Sequence, residues 1–286
     1  MSRRRGQIAA AITGVQTGLA MVLTRALADD ISPMTLAFLR YSIAVMVLAP
    51  FFMRLRPARI APADRGPILL LGVVQFGITV ALVNYGLHYV SAAQGAVVFG
   101  MFPILTIALA AALGREKMTL LRVLGALISV VGVAICLGAN TLPTSGFGAG
   151  LVFLAAGSAA ACSIYYRPYL QKYPTLQVGA IAMFAAALSL FPASLIETPM
   201  AQLSVLLPGQ WAMVLAIGFL SGAGYLLWLT ALKHTGPGEA TVLMGISPIT
   251  AAIVGALALG EPLTAGFALG LGIAILGVSL AVLSRP

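Results

Sequence analysis

The chain has 286 residues, 60% of them hydrophobic and only 8% charged, with a net charge of +9 and a mean hydropathy of +1.05. Soluble globular domains carry about a quarter charged residues, so the composition excludes a water-solvated globule and places most of the chain in lipid. The basic excess is not a nucleic-acid signature, because the cations sit between apolar segments and no basic run is interleaved with exposed aromatics.

A membrane-spanning helix needs about 20 mostly apolar residues, and ten segments qualify in chain order. Residues 7–26, preceded by Arg3, Arg4 and Arg5, imitate a signal peptide, but Gln7, Thr13, Gln16 and Thr17 interrupt the apolar run and no convincing small-residue cleavage site precedes mature soluble sequence. We read it as span one. Spans two to five follow at 33–53, 66–87, 91–113 and 119–139, and spans six to ten at 147–169, 175–196, 210–232, 239–259 and 264–284. Cys136 and Cys162 both lie in apolar stretches, away from any Cys/His cluster, and read as small packing residues; no metal or other cofactor is expected.

Lys and Arg alternate in abundance from loop to loop. With a cytoplasmic amino terminus, that side receives Arg3, Arg4, Arg5, Arg54, Arg56, Arg59, Arg65, Arg115, Lys117, Arg122, Arg167, Lys172, Lys233 and Arg285. The opposite side keeps Arg25, and Arg40 falls within span two. The asymmetry puts both termini in the cytoplasm.

The chain also repeats itself. A shift of 145 residues lays Gly100 on Gly245, Pro103 on Pro248, Glu116 on Glu261, Gly125 on Gly270 and Gly132 on Gly277. Five spans per copy is an odd number, so the second copy enters the membrane upside down. The expectation is an all-α integral membrane protein of ten transmembrane helices built as two inverted five-helix repeats, residues 1–142 and 143–286. Inverted repeats supply two similar halves that exchange inward- and outward-facing shapes about a central site.

Pro103 and Pro248 fall mid-span in the two copies, so the carbonyls of Phe99 and Met244, each four residues earlier, lose their helical donors. Unpaired backbone at that depth belongs against protein or a water-filled cavity. Helical spacing then gathers candidate substrate-binding walls. Spans four and nine offer Phe99, Phe102, Pro103, Met244, Ser247 and Pro248, with Thr106 and Ala251 beside them. Span three offers Gln75, Thr79 and His88, with Asn84; span eight offers Ser221, Tyr225 and Trp228. Spans one and six add Gln16 and Tyr165, near Thr13, Thr17, Ser158, Ser163 and Tyr166. The same Ser and Thr side chains serve equally as interhelical hydrogen bonds. No Asp or Glu occupies the middle third of a span, so a carboxylate proton relay has no candidate. Arg40 is expected to snorkel outward or pair with Asp29 or Asp30 rather than meet a substrate carboxylate. Glu239 reads as a helix cap. Hydrolase, protease and metal motifs are missing from the sequence.

The ninth-span ending Ala-Leu-Gly-Glu-Pro-Leu-Thr at 258–264, its partner Gly-Arg-Glu-Lys-Met-Thr at 114–119, and Ser32-Pro33 followed by Leu36, Ala37 and Arg40 resemble the drug/metabolite transporter superfamily, specifically its EamA-type exporters. The Trp-Gly pair common in that family's first helix is replaced here by Gln16, Thr17 and Gly18. The resemblance implies export of small metabolites across the bacterial cytoplasmic membrane, through a cavity lined by helices one, three, four, six, eight and nine. It points to amino acids, aromatic or otherwise apolar, as in the YddG-like branch. The partners it implies are a small-molecule substrate and the lipid bilayer, with monomer or oligomer left open. Multidrug or organic-amine efflux is the alternative, and a non-transporting channel or scaffold subunit is the alternative of another class.

Overall fold

The structure is a computed structural model that describes residues 2–54, 58–114, 119–138, 145–235, 240 and 243–283. Arg56, Arg115, Glu116, Lys117, Glu239 and Arg285, which carried part of the charge count, one repeat partner and a cap, lie outside the described residues.

The regular secondary structure of the described residues is all helical. Spans one and two are α1 (Ser2–Ala26) and α2 (Pro33–Arg54). Span three is α3 (Pro62–Gly72) and α4 (Thr79–Gly86), joined without interruption by a π-helical stretch, Val73–Ile78. Span four is α5 (Ala92–Phe99) and α6 (Phe102–Ala112), parted by a turn at Gly100 and Met101. Then come α7 (Leu120–Gly138), α8 (Ser145–Lys172), α9 (Thr175–Ile196), the short α10 (Pro199–Leu203) and α11 (Pro208–His234). Spans nine and ten are α12 (Ile246–Leu259) and α13 (Ala265–Leu283). Among the described residues, eight helices or helix pairs are long and apolar enough to cross a bilayer, and the remaining two spans are shorter apolar helices. Exposed side chains such as Leu188, Leu257 and Leu276 line the outer faces, where only lipid is a compatible solvent.

Local chemistry sets the boundaries. Pro33, Pro62 and Pro208 open their helices, where the missing N–H has no intrahelical partner to lose. Ser91 and Gln94 form a reciprocal capping box at the start of α5. Gly260, at φ +66°, ends α12 in the left-handed conformation that glycine takes without strain.

Acidic side chains from the second half cap helices of the first. Glu197, just after α9, accepts the N–H groups of Met34 (3.2 Å) and Thr35 (2.8 Å) at the start of α2, and the hydroxyls of Thr35 (2.9 Å) and Tyr85 (3.1 Å). Glu261, just after α12, accepts from Ala92 (2.8 Å) and Ala93 (3.3 Å) at the start of α5. A carboxylate there meets both free N–H donors and the positive end of the helix dipole. Glu197→Ala is expected to lower stability by about 1.5–3 kcal/mol, with Glu197→Gln milder, read as thermal unfolding in detergent.

The helix pairing carries a two-fold pattern. Span one packs on spans eight and nine, and span six packs on spans three and four; span two packs on seven, and five on ten. Nearly every extensive contact therefore joins one repeat to the other. The α7–α13 seam shows the symmetry atom by atom. A Cβ on Gly132 would strike the Ala274 backbone nitrogen and lie 2.7 Å from the Gly270 carbonyl. A Cβ on Gly277 would strike the Ser129 nitrogen and lie 2.6 Å from the Gly125 carbonyl. Each of these contacts is the other shifted by 145 residues.

Candidate functional site

The central cavity lies where α1, α2, the π-helical stretch, α4 and α11 converge on the break in span four. It holds about 830 Å³ of empty space, its open mouth included. The π-helical stretch inserts extra backbone into span three and turns Gln75 and Phe76 to the cavity; such insertions recur at functional sites. Thr79, one turn on, closes it by donating to the Val74 carbonyl (3.0 Å) and pairs with Ser158 on α8 (2.6 Å).

Opposite, α1 presents Thr13, Gln16, Thr17 and Thr24. Thr13 donates to the Ala9 carbonyl (2.7 Å) and reaches the Gly224 carbonyl (3.4 Å), binding α1 to α11. Gly224 leaves room there for the Gln16 side chain, which a Cβ at 224 would push aside. Arg40 and Tyr41 enter from α2, and Ser221, Tyr225 and Trp228 from α11.

Two runs of aromatic rings form the floor. Phe76 stands edge-on to Tyr225 (4.1 Å between centroids) and meets Tyr41 (5.1 Å). Phe99 lies nearly parallel to Phe102 (6.2 Å), which meets Trp228 (5.7 Å). Beneath the rings the core continues through Tyr166, Leu170 and Leu232, all buried. At the other end, past Thr24 and Val83, lies a second cleft lined by Arg25, Asp29, His88 and Glu261.

Nine of the fourteen candidate side chains meet in the central cavity: Gln16, Gln75, Thr79, Phe99, Phe102, Ser221, Tyr225, Trp228 and Met244. The other five do not. His88 sits in the second cleft, where burial holds its imidazolium pKa below the ordinary histidine value; Asp29 and Glu197 pull upward and Arg25 downward. Tyr165 is 44% exposed on the outer side of α8, and Tyr166, about 100° around the helix, points inward instead. Pro103 and Ser247 border a smaller void of about 260 Å³ behind Phe99 and Met244. Pro248 faces α13 across another void and packs against Gly100.

The backbone prediction splits in the same way. Span four breaks outright, and among the described residues no donor reaches the Phe99 carbonyl. The Met244 carbonyl is not free, because the turn before α12 brings the Ser247 N–H to it at 2.9 Å. Of the other side chains, Asn84 binds the Pro33 carbonyl (2.9 Å), and Thr106 and Ser163 bond carbonyls of their own helices.

Arg40 departs most from expectation. Asp29 pairs with Arg25 (3.8 Å), while Arg40 turns inward and donates from Nε to Ser221 Oγ (2.5 Å), its guanidinium 5.7 Å from the Tyr41 ring. Among the described residues it is the one charged side chain lining the cavity. Tyr41 and Phe76 are wall residues that sequence spacing missed. Phe76 is misphased by the π-helical stretch, and Tyr41 had Arg40 beside it as its only signal. Among the described residues no group of three His, Cys, Asp or Glu could hold a metal ion.

Comparison with known proteins places this architecture. The chain is 27% identical over 284 residues to an uncharacterized transporter of Archaeoglobus fulgidus, covering 97% of this chain and 99% of that one. It is 25% identical over 271 residues to the uncharacterized transporter YyaM of Bacillus subtilis, covering 92% and 88%. A probable terminal-alkyne amino-acid exporter of Streptantibioticus cattleyicolor is 25% identical over 227 residues, covering 79% and 76%. A crystal structure superimposes with a TM-score of 0.71 over 97% of this chain and 96% of the other at 19% identity, a likeness of fold alone. The EamA-like transporter family matches residues 4–138 and again residues 146–283. Matched twice along its length, once for each five-span repeat, the chain belongs to the EamA-like transporter family.

Proposed function

We propose that the protein exports amino acids with aromatic or other apolar side chains by alternating access. In this reading residues 1–142 and 143–286 are the inverted halves, both termini are cytoplasmic, and the membrane is the bacterial cytoplasmic membrane. The observation that carries the substrate class is the cavity floor. Phe76, Phe99, Phe102, Tyr225 and Trp228 offer a ring-lined bed for an apolar side chain. The unpaired Phe99 carbonyl beside it is an acceptor for an ammonium group. The name of the Streptantibioticus relative supports the same class.

The direction of opening follows from the cavity ends. With the basic loops cytoplasmic, the end near Thr24, Val83 and the second cleft faces outward. The rings and the packed core below them close the cytoplasmic side. Transport then requires the floor to part on one side as the contacts around the second cleft tighten on the other.

Purified protein in proteoliposomes preloaded with phenylalanine is expected to accumulate labelled phenylalanine or tryptophan by counterflow, saturably. Uptake of a lipophilic cation with none of any amino acid would overturn the amino-acid reading in favour of amine efflux.

A further inference from the structure

We propose that Arg40 is the carboxylate anchor of the central cavity, so that the transporter recognises monocarboxylates and not amines or phosphates. The inference deepens the amino-acid reading and rests on it for the location of the substrate, though not on the substrate's amino group.

The position is energetically exacting. Arg40 lies seven residues into α2, about 10 Å along the helix from its start. A cation at such depth is retained facing a bundle interior or a cavity, opposite something that compensates it. Here the protein supplies only neutral partners, the Ser221 hydroxyl and the Tyr41 ring face. Among the described residues no carboxylate lies within ion-pair distance of Arg40, and no hydrogen bond engages its two terminal amino groups. The nearby acid Asp29 is committed to Arg25.

A second, independent observation marks the same cavity. Thr24 also lines the cavity; its side chain is 99% buried by neighbouring atoms, and its hydroxyl has no hydrogen-bond partner. The cavity thus holds an unneutralised guanidinium fork and an unused hydroxyl. A carboxylate satisfies the fork with two parallel charge-assisted hydrogen bonds. A phosphate dianion does not fit, because among the described residues Arg40 is the only cation in the lining and one negative charge would stay uncompensated in a low-dielectric site. With the carboxylate on Arg40, the rest of an amino acid extends over the ring floor.

The test uses the full chain in lipid nanodiscs and measures the affinity of phenylalanine, phenylalaninamide and 3-phenylpropionate, with a panel of aliphatic monocarboxylates. The wild type is expected to prefer phenylalanine over its amide by about 10- to 100-fold. Arg40→Gln should bring the two within about threefold of each other by weakening the acid alone, and Arg40→Lys should fall between. Should Arg40→Gln fail to fold, the wild-type ligand series decides by itself. Equal affinity for acid and amide overturns the anchor even if phenylalanine is transported, and so does a preference that survives in Arg40→Gln. Failure of every monocarboxylate to bind overturns it as well. Binding of 3-phenylpropionate without phenylalanine upholds the anchor while sinking the amino-acid reading.

Discussion

Valine at Gly277 or at its repeat partner Gly132 is expected to leave no stable, monodisperse protein. At both positions even the first side-chain carbon would overlap a backbone nitrogen of the facing helix, Ser129 in one case and Ala274 in the other, with a carbonyl oxygen close behind. A side chain could swing aside; a helix backbone cannot. The α7–α13 pair would have to separate along its length. Overpacking a core ordinarily costs about 1–3 kcal/mol, and backbone-on-backbone contact puts these sites at or above the top of that range. Without a hydrophobic force between helices in lipid, close approach through small residues is itself what binds them. Alanine already introduces the clashing atom and should lower the melting temperature clearly, with valine abolishing the monodisperse peak in size-exclusion chromatography. The repeat adds a sharper requirement. Gly132→Ala and Gly277→Ala should have similar effects, because the two sites see the same surroundings through the two-fold relation. Valine variants that melt with the wild type would mean that the seam is not packed as described.

The seam also explains what the sequence made plain. Those glycines belong to the repeated stretch, and the 145-residue shift that aligned them is the symmetry that brings them face to face. Span positions were equally legible, since about 20 apolar residues bounded by charge, proline or glycine admit one reading in a bilayer. Interleaving was not. Five-span halves suggest two bodies side by side, whereas the helices of each half pack chiefly on those of the other.

At the site the losses have local causes. The wider helical turn at Val73–Ile78 brings Phe76 to the cavity together with Gln75 and Thr79, a neighbour that regular three- and four-residue steps from Gln75 leave out. On α8 neighbouring tyrosines give no phase: Tyr165 is exposed, Tyr166 is buried in the core, and Ala159 is what the helix brings to the cavity. A proline removes one donor but leaves open which carbonyl is rescued. The turn before α12 supplies Ser247 to Met244, while the break in span four supplies nothing to Phe99. Arg40 was misassigned because Asp29 was available nearby in sequence, and Arg25, four residues before it on the same helical turn, takes it instead.

Replacing Phe76 with alanine is expected to open the cavity to the opposite side of the membrane. Phe76 is 2% exposed and is the ring that joins Tyr41 to Tyr225, so it fastens span three to spans two and eight at the floor. Truncating a buried phenylalanine costs about 3–5 kcal/mol in a core that cannot collapse around the gap. Only the part of that energy made in one conformation shifts the equilibrium between two. The two ring contacts, worth about 0.5–1.5 kcal/mol each, belong to the closed floor. Losing about 2 kcal/mol from that state alone is a shift of about 30-fold toward its competitor. Phe99→Cys reports the change, in a background where Cys136 and Cys162 are replaced by alanine. With Phe76 intact, a membrane-impermeant maleimide should reach the cysteine from the side of Thr24 and Val83. With Phe76→Ala, reactivity should appear from the side of Tyr166 and Leu170 without added substrate. A lowered melting temperature with unchanged sidedness would mean that Phe76 only stabilises the fold, and the gate would have to be sought elsewhere along the floor.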